Sequence, residues 1–290
     1  MAGLRLTHYL VAVRSLADAR RGYERLLGMS ELASGEDPAE GARWLALGGA
    51  VERVRLVEPV RPGGVLDALM RRRATERNPG GEGFYRGVWE TPDTEALASR
   101  WRAAGVAFER GDAGALRPDH RRTHGVRMEI REAAPGGSPA PGDDGSLLRL
   151  SHVGVAVRSH EAAAGNLAGL FGMETIGQRQ EIPAAALATQ WVGFGTRRIF
   201  TLLLPLAEAS PVAGRMRALE LDSGAGGEGV YIVAWATADP DRLGDELEAA
   251  GVAVARAPGP SGSILRPHPR LTGGAYIEVL PLSMNTDQWA

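Results

Sequence analysis

"LRLSHVGVAVRS", residues 148–159, sets a histidine in the middle of an apolar strand pattern, and nearly the same words stand 144 residues earlier as "LRLTHYLVAVRS" at 4–15. The two stretches agree at nine of twelve positions. The likeness continues down the chain. "GEGFYRGVWETPDTEALASRWRAAGVAFER" at 81–110 returns as "GEGVYIVAWATADPDRLGDELEAAGVAVAR" at 227–256, and "LRPDHRRTHGVRMEI" at 116–130 returns as "LRPHPRLTGGAYIEV" at 265–279. Between the halves lies "EAAPGGSPAPGDDGS", 132–146, rich in Pro, Gly and Ser and without apolar periodicity, which reads as a linker. The chain is a tandem duplication, with one domain over 1–132, a linker over 133–146, a second domain over 147–284 and a tail over 285–290.

Each half divides again. "LTHYLVAV" reads as a strand and "SLADARRGYERLLGM" as an amphipathic helix, opened by a serine cap and closed at Gly28. Strands follow at "ARWLALGG" and "RVRLVEPV", and a short helix over 64–77 leads to a second round. That round is strand "FYRGVWET", helix "DTEALASRWRAAG", then strands "VAFER", "GALRP" and "GVRMEIRE". The order β-α-β-β-β occurs twice per half and four times in the chain, an α+β organisation.

Composition narrows the chemistry. Apolar residues at 44% and charged residues at 23% suit a folded globular chain. A net charge of −2 offers no footprint for nucleic acid, and no apolar run is long enough to span a bilayer. The N-terminal residues lack the pattern of an export signal, so a cytoplasmic location is expected. There is no cysteine, which removes disulfides, thiolate nucleophiles and cysteine metal sites. There is also no lysine, since all 33 basic residues are arginine, which removes Schiff-base chemistry through the protein. A GC-rich coding sequence explains the arginine bias as well as any function does.

"THYLVAV" and "SHVGVAV", "ERLLGM" and "AGLFGM", "GTRRIFTLLLP", and the closing "RTHGVRMEI" and "LTGGAYIEV" together resemble the vicinal oxygen chelate superfamily. That superfamily includes glyoxalase I, methylmalonyl-CoA epimerase, extradiol dioxygenases and bleomycin- or fosfomycin-resistance proteins. The resemblance covers nearly all the chain outside the linker. Its wording is most like the epimerases, its size and layout like the extradiol dioxygenases. It implies two glyoxalase-like domains, each a cupped mixed sheet with helices on its outer face. It also implies a concave site with four metal-ligand positions per domain, drawn from the first and last strands of each unit.

The resemblance places His8 and Glu129, and His152 and Glu278, on the first and fourth positions. The second falls on Arg55 and Thr201, the third on Arg86 and Ile232. Arginine stays protonated and isoleucine has no donor, so neither half holds the two histidines and carboxylate that a dioxygenase needs. His and Glu with waters would hold a divalent ion (Fe, Mn, Co, Ni or Zn) only weakly, and no cofactor is assigned. Strand alternation puts His152 on one face with Leu150, Gly154 and Ala156, and Glu278 with Tyr276 and Leu280. In the first half it groups Arg53 with Arg55, and Arg127 with Glu129 and Arg131, with Arg86 opposite, a cationic cup for an anionic ligand. The second half offers Ile199, Thr201, Val230, Ile232 and Ala234, a more apolar cup.

The preferred reading is an enzyme, of isomerase or lyase type, acting by proton transfer on an acidic, carbonyl-containing or polyketide-like metabolite. Its acid/base pairs would be His8 with Glu129 and His152 with Glu278, and Arg55 and Arg86 would steady an enolate or carboxylate. A drug-sequestering binding protein is the alternative, and a dioxygenase a third. The bland readings stand beside these: histidines hydrogen-bonded to Glu129 and Glu278 as relics of the fold, arginines on a solvated face, and 71–73 a solvated charge run. His120 and His124 lie in a loop that could reach the cavity, His160 belongs to the surface, and the repeated "RPxxRxT" reads as turn chemistry. The four units pair within one chain or swap partners in a homodimer.

Overall fold

A computed structural model of the chain describes residues 3–76, 78–134, 148–223, 225–259 and 262–282. Most of the expected linker and the tail 285–290 lie outside the described residues. In the first half β1 (Arg5–Ala12) leads through α1 (Leu16–Leu27) to β2 (Ser30–Asp37), β3 (Ala42–Gly48) and β4 (Glu52–Pro59). After α2 (Val65–Arg73) come β5 (Gly83–Thr91), α3 (Thr94–Ala103), β6 (Phe108–Arg110), β7 (Leu116–Pro118) and β8 (Met128–Glu132). The second half repeats this with β9 (Leu148–Ala156), α4 (His160–Phe171), β10 (Glu174–Ile182), β11 (Leu187–Phe194) and β12 (Arg197–Pro205). It closes with α5 (Pro211–Ser223), β13 (Gly229–Thr237), α6 (Pro240–Ala249), β14 (Val254–Gly259), β15 (Gly262–Pro267) and β16 (Ile277–Pro281).

Ser15 and Ser159 cap α1 and α4, and Gly28 and Gly172 end them at φ of 62° and 73°, left-handed values that favour glycine. Two elements differ from the sequence reading. A further strand, β2, follows α1; it is exposed along nearly its whole length and so leaves no apolar alternation to detect. The helix expected over 64–77 stops at Arg73, because Thr75 and Asn78 close a turn with reciprocal backbone hydrogen bonds of 3.1 and 3.0 Å.

The strands form two eight-stranded mixed sheets, ordered β2-β3-β4-β1-β5-β8-β7-β6 and β10-β11-β12-β9-β13-β16-β15-β14. In each, two units meet antiparallel at the centre, β1 against β5 and β9 against β13, so the units pair within one chain. One apolar cluster runs from the back of one sheet to the back of the other and takes in α1, α3, α4 and α6. Aromatic contacts tie it across the halves: Tyr9 meets Trp235 edge-on at 6.3 Å and Trp89 lies 6.0 Å from Phe200. The other two helices cross to the concave side. Leu66, Leu69 and Met70 of α2 pack on Leu10 and Val57, and Val212 and Met216 of α5 pack on Ala156 and Leu203. Among the described residues, no helix is long and apolar enough to cross a membrane.

The halves meet closely at Gly22 of α1, where a Cβ would stand 1.6 Å from the Leu271 carbonyl oxygen. Gly22→Ala is therefore expected to prise α1 from the second half and cost about 1–3 kcal/mol, read as a lower urea midpoint with an unchanged slope.

Candidate functional site

Two small irregularities aim the histidines. In β1, Leu6 pairs with Trp89 and His8 with Val88, so Thr7 is the extra residue of a bulge; Ser151 holds the same place in β9. One inserted residue reverses the facing of all that follows. Leu4 and Leu6 before it and Tyr9 and Val11 after it thus join the inter-sheet core, while His8, Leu10 and Ala12 face the cup. By the same reversal Leu150 lies in the core, not beside His152 as alternation implied. The bulged hydroxyl holds the ring: Thr7 Oγ1 is 3.1 Å from His8 Nδ1, and Ser151 Oγ is 2.8 Å from His152 Nδ1. Burial presses both imidazoles below the ordinary histidine value, His8 to about 4 and His152 to about 3, so both are neutral at pH 7.

Register sets the remaining positions in rows. Arg55, Leu10 and Arg86 lie side by side, as do Thr201, Gly154 and Ile232. His8 and Glu129 flank Val88, and His152 and Glu278 flank Ala234. Each His and Glu therefore sit two strand spacings, about 10 Å, apart at Cα. Among the described residues no hydrogen bond joins either histidine to its glutamate, the bond expected if the histidines were relics of the fold.

Further bulges change the cast. The β3–β4 register skips Arg53, which turns to the opposite face, and Glu52 takes its place beside Arg55. The β11–β12 register skips Ile199, which joins the core with Val230, and Arg198 turns to the cup. Tyr85 and Tyr231 are the skipped residues of β5 and β13 and pack in the concave clusters.

In the first cup the charges are committed to one another. Glu129, 4% exposed, accepts five N–H bonds of 2.5 to 3.1 Å from Arg86, Arg117 and Arg131. Burial pushes its carboxyl upward, but the charges and hydrogen bonds of Arg131 and Arg117 outweigh burial and bring it to about 2. Arg86 also donates to Glu40 at 2.7 Å, and Glu40 accepts from Tyr85 Oη at 2.7 Å. Arg55 grips Glu52 with two bonds of 2.7 Å and lies 4.5 Å above the Trp44 ring. His8 Nε2 is buried without a hydrogen-bond partner among the described residues, 3.8 Å from Glu52 Oε1. Arg127 shares the face of Glu129 and Arg131, since Val126, Met128 and Ile130 go to the core.

The second cup is apolar. Ile232, Leu187, Leu203, Val212 and Met216 form its wall, and Tyr231 stacks on Tyr276 at 5.8 Å. The Trp191 ring meets His152 edge-on at 4.5 Å and carries Arg198 on its own face at 4.8 Å. Thr201, 5% exposed, has an Oγ1 with no partner among the described residues. Glu278 accepts one hydrogen bond, at Oε1 from Arg266 Nε (2.6 Å), and among the described residues Oε2 has none.

No family model and no curated protein matches the chain. Solved structures do. A mutant of 4-hydroxymandelate synthase from Streptomyces coelicolor is similar at TM-score 0.68 and 18% identity, over 96% of this chain and 92% of its own. BphC, a halotolerant catechol dioxygenase, is similar at 0.60 and 12%, over 96% and 86%. A xylose isomerase-like TIM barrel/4-hydroxyphenylpyruvate dioxygenase fusion protein is similar at 0.62 and 14%, over 97% of this chain and 50% of its own. This is the vicinal oxygen chelate fold. At such identities the likeness is one of fold, and the reaction has to be argued from the cups.

The metal that the vicinal oxygen chelate fold implies does not fit the residues present. In the second cup Ile232 lacks a donor and Thr201 offers only a neutral hydroxyl, two positions are arginines in the first, and both oxygens of Glu129 are held by guanidiniums. No group of three His, Asp or Glu that could hold a metal occurs among the described residues.

Several residues lie elsewhere than expected. His124, at φ 52°, reaches the second half, with Nδ1 2.7 Å from Glu228 Oε2 and Nε2 3.0 Å from Asn166 Nδ2. His120 stays in its turn, 3.8 Å from Asp119, and His160 opens α4 half-buried, not at the surface. Arg71 pairs with Asp67 at 2.9 Å and Arg73 donates to the Phe84 carbonyl at 2.7 Å. Glu40, Glu52, Arg198 and the pair Arg117 and Arg266 were missed. The last pair had a signal: "LRP" recurs in both halves, and its arginine holds the cup glutamate each time. The threonine of that motif does close the turn, Thr123 Oγ1 donating to the His120 carbonyl at 3.1 Å and Thr272 Oγ1 to that of Pro269 at 3.0 Å.

Two outcomes follow. The imidazole C2–H resonances of His8 and His152 are expected to stay flat from pH 8 to about pH 5 in NMR titration, assigned through His8→Gln and His152→Gln. Glu129→Gln is expected to cost about 1–3 kcal/mol at pH 7 in urea unfolding, because it takes the shared counter-charge from the half-buried Arg86 and Arg117 and from Arg131. Since the Glu129 carboxyl stands near 2 when folded and at 4.5 otherwise, its stabilisation holds above pH 4.5 and fades as pH falls to about 2, where variant and parent should converge.

Proposed function

We propose that the chain is a small-molecule enzyme that transfers a proton on an apolar, aryl- or polyketide-like carbonyl compound in its second cup, without the metal tetrad. One observation carries this reading: Glu278 keeps an open carboxylate oxygen in an apolar cup, whereas Glu129 is fully engaged in the other. The first cup is then a structural ion-pair cluster, and its arginines are not the ligand grip first expected. Neighbours that share the fold over nearly the whole chain are a synthase and a catechol dioxygenase by name, which supports an enzyme.

In this mechanism the substrate lies across Ala234, between His152 and Glu278. Glu278 Oε2 takes the proton on the carbon next to the carbonyl, and the C–H electron pair moves into the enolate. Arg266 steadies the carboxylate and keeps it aimed. Thr201 Oγ1 donates to the enolate oxygen, which gives that buried hydroxyl the partner it lacks. Assigning Nδ1 of His152 as acceptor from Ser151 Oγ leaves a proton on Nε2, a second donor that stays neutral because burial prevents its charging. Return of that proton from Glu278 to another carbon on the same face of the enolate gives isomerisation.

The separation of His152 from Glu278 favours a second reading, sequestration of a ligand without turnover. Aryl-substituted 2-oxo acids and 3-keto esters incubated in deuterium oxide separate the two by NMR. Wild-type protein is expected to exchange the α-proton of a bound member of the panel, and Glu278→Gln to slow that exchange about a hundredfold or more. Saturable binding with no exchange would sink the enzyme and leave the sequestering protein.

A further inference from the structure

The duplication supplies an internal control for every surface of the molecule, because each residue has a counterpart in the other half. At the joint where the end of α4 meets α3, Trp101 is fully buried, edge-on to Phe171 at 5.8 Å and to Phe108 at 5.5 Å, and donates from Nε1 to the Leu170 carbonyl at 2.8 Å. Ile199, in the same core cluster, is 2% exposed. The counterpart joint lies where the end of α1 meets α6. The repeat register puts Leu247 in place of Trp101, Leu27 of Phe171, Val254 of Phe108 and Arg53 of Ile199. Three aromatic rings have become aliphatic side chains, and a cavity of about 600 Å³ stands there. Leu26, Leu27, Leu148, Trp235 and Leu247 make its apolar lining.

The cavity opens to solvent on one side, and its volume is that of a small-molecule site. The substitutions around it are not only losses. Arg53 replaces an isoleucine and lines the cavity at 6% exposure; Arg25 and Arg242 at the rim replace Gly169 and Ala96. Arg25 also reaches across the joint to donate to the Ala250 carbonyl at 2.9 Å. Asp239 caps α6, and Glu246 pairs with Arg242 at 3.0 Å, so the acids at the rim are engaged locally. The cavity lies on the opposite face of the sheets from both cups, as the turn of Arg53 away from Glu52 and Arg55 shows.

From this we infer that the α1–α6 joint is a ligand site, distinct from the cups, for a flat aromatic carboxylate. Its ring system takes the space that Trp101 and Phe171 fill in the other half, and its carboxylate meets Arg53, with Arg25 at the mouth. A planar guanidinium holds a carboxylate through two parallel bonds, which fixes the ring's orientation.

The probe is 2-naphthoate, titrated calorimetrically into the full chain and into two variants that restore the counterpart residue, Arg53→Ile and Leu247→Trp. Expected are one naphthoate per chain and affinity lowered about tenfold to a hundredfold in each variant, because Arg53→Ile removes the carboxylate's partner and Leu247→Trp narrows the ring's space within the 600 Å³ cavity. Both variants should melt no lower than the parent, because each copies a packing that the other half already uses. Absence of binding to the parent at millimolar naphthoate would overturn the inference, and so would undiminished binding in both folded variants.

Discussion

A side-chain period of two, interrupted by a single residue, governs this molecule. β1 and β9 must serve two clients at once, the core between the sheets and the cup on the far side. A strand of strict alternation would divide its apolar residues evenly between them. The bulge at Thr7 and Ser151 lets residues on both sides of it feed the core while the histidine turns into the cup. The same residue supplies the hydroxyl that holds the ring, so the device that aims the histidine also fixes it. Bulges at Tyr85 and Tyr231, and at Arg53 and Ile199, repeat the logic on neighbouring strands.

Two cups built on one plan have been filled by opposite physics. A buried carboxylate is tolerable only when paired, and Glu129 is paired to saturation. The first cup thereby becomes rigid and electrically closed. In the second, a threonine and an isoleucine occupy the positions of Arg55 and Arg86, and a glutamate oxygen and the threonine hydroxyl are left for something else. The contacts between halves diverge likewise. Gly22 of α1 lets the Leu271 carbonyl approach, whereas its counterpart Asn166 on α4 meets His124, itself bound to Glu228.

Much of the fold was legible in the chain. The repeat, the helix caps, the period-two strands and the four-unit order all rest on local patterns, and the sheets are built from them. What escaped had little local signature: β2, exposed and without alternation, and the early end of α2 at a bridged turn. Of the site, the eight family positions came from the resemblance, and register lays them out in rows. Their partners did not come from it. Glu40 lies on the turn after β2, Glu52 was passed over because alternation put Arg53 beside Arg55, and Arg117 sits on a three-residue strand too short to show a phase.

By itself, then, the sequence determined the duplication and the α+β units, since both follow from patterns along the chain. Tertiary structure alone decided which faces the strand residues take after each bulge, which charges neutralise one another, and which of two equivalent joints is filled. A bulge is a property of two paired strands, a pKa is a property of every group around a carboxylate, and a cavity is the failure of distant side chains to meet. None of these is written in the spacing of one segment.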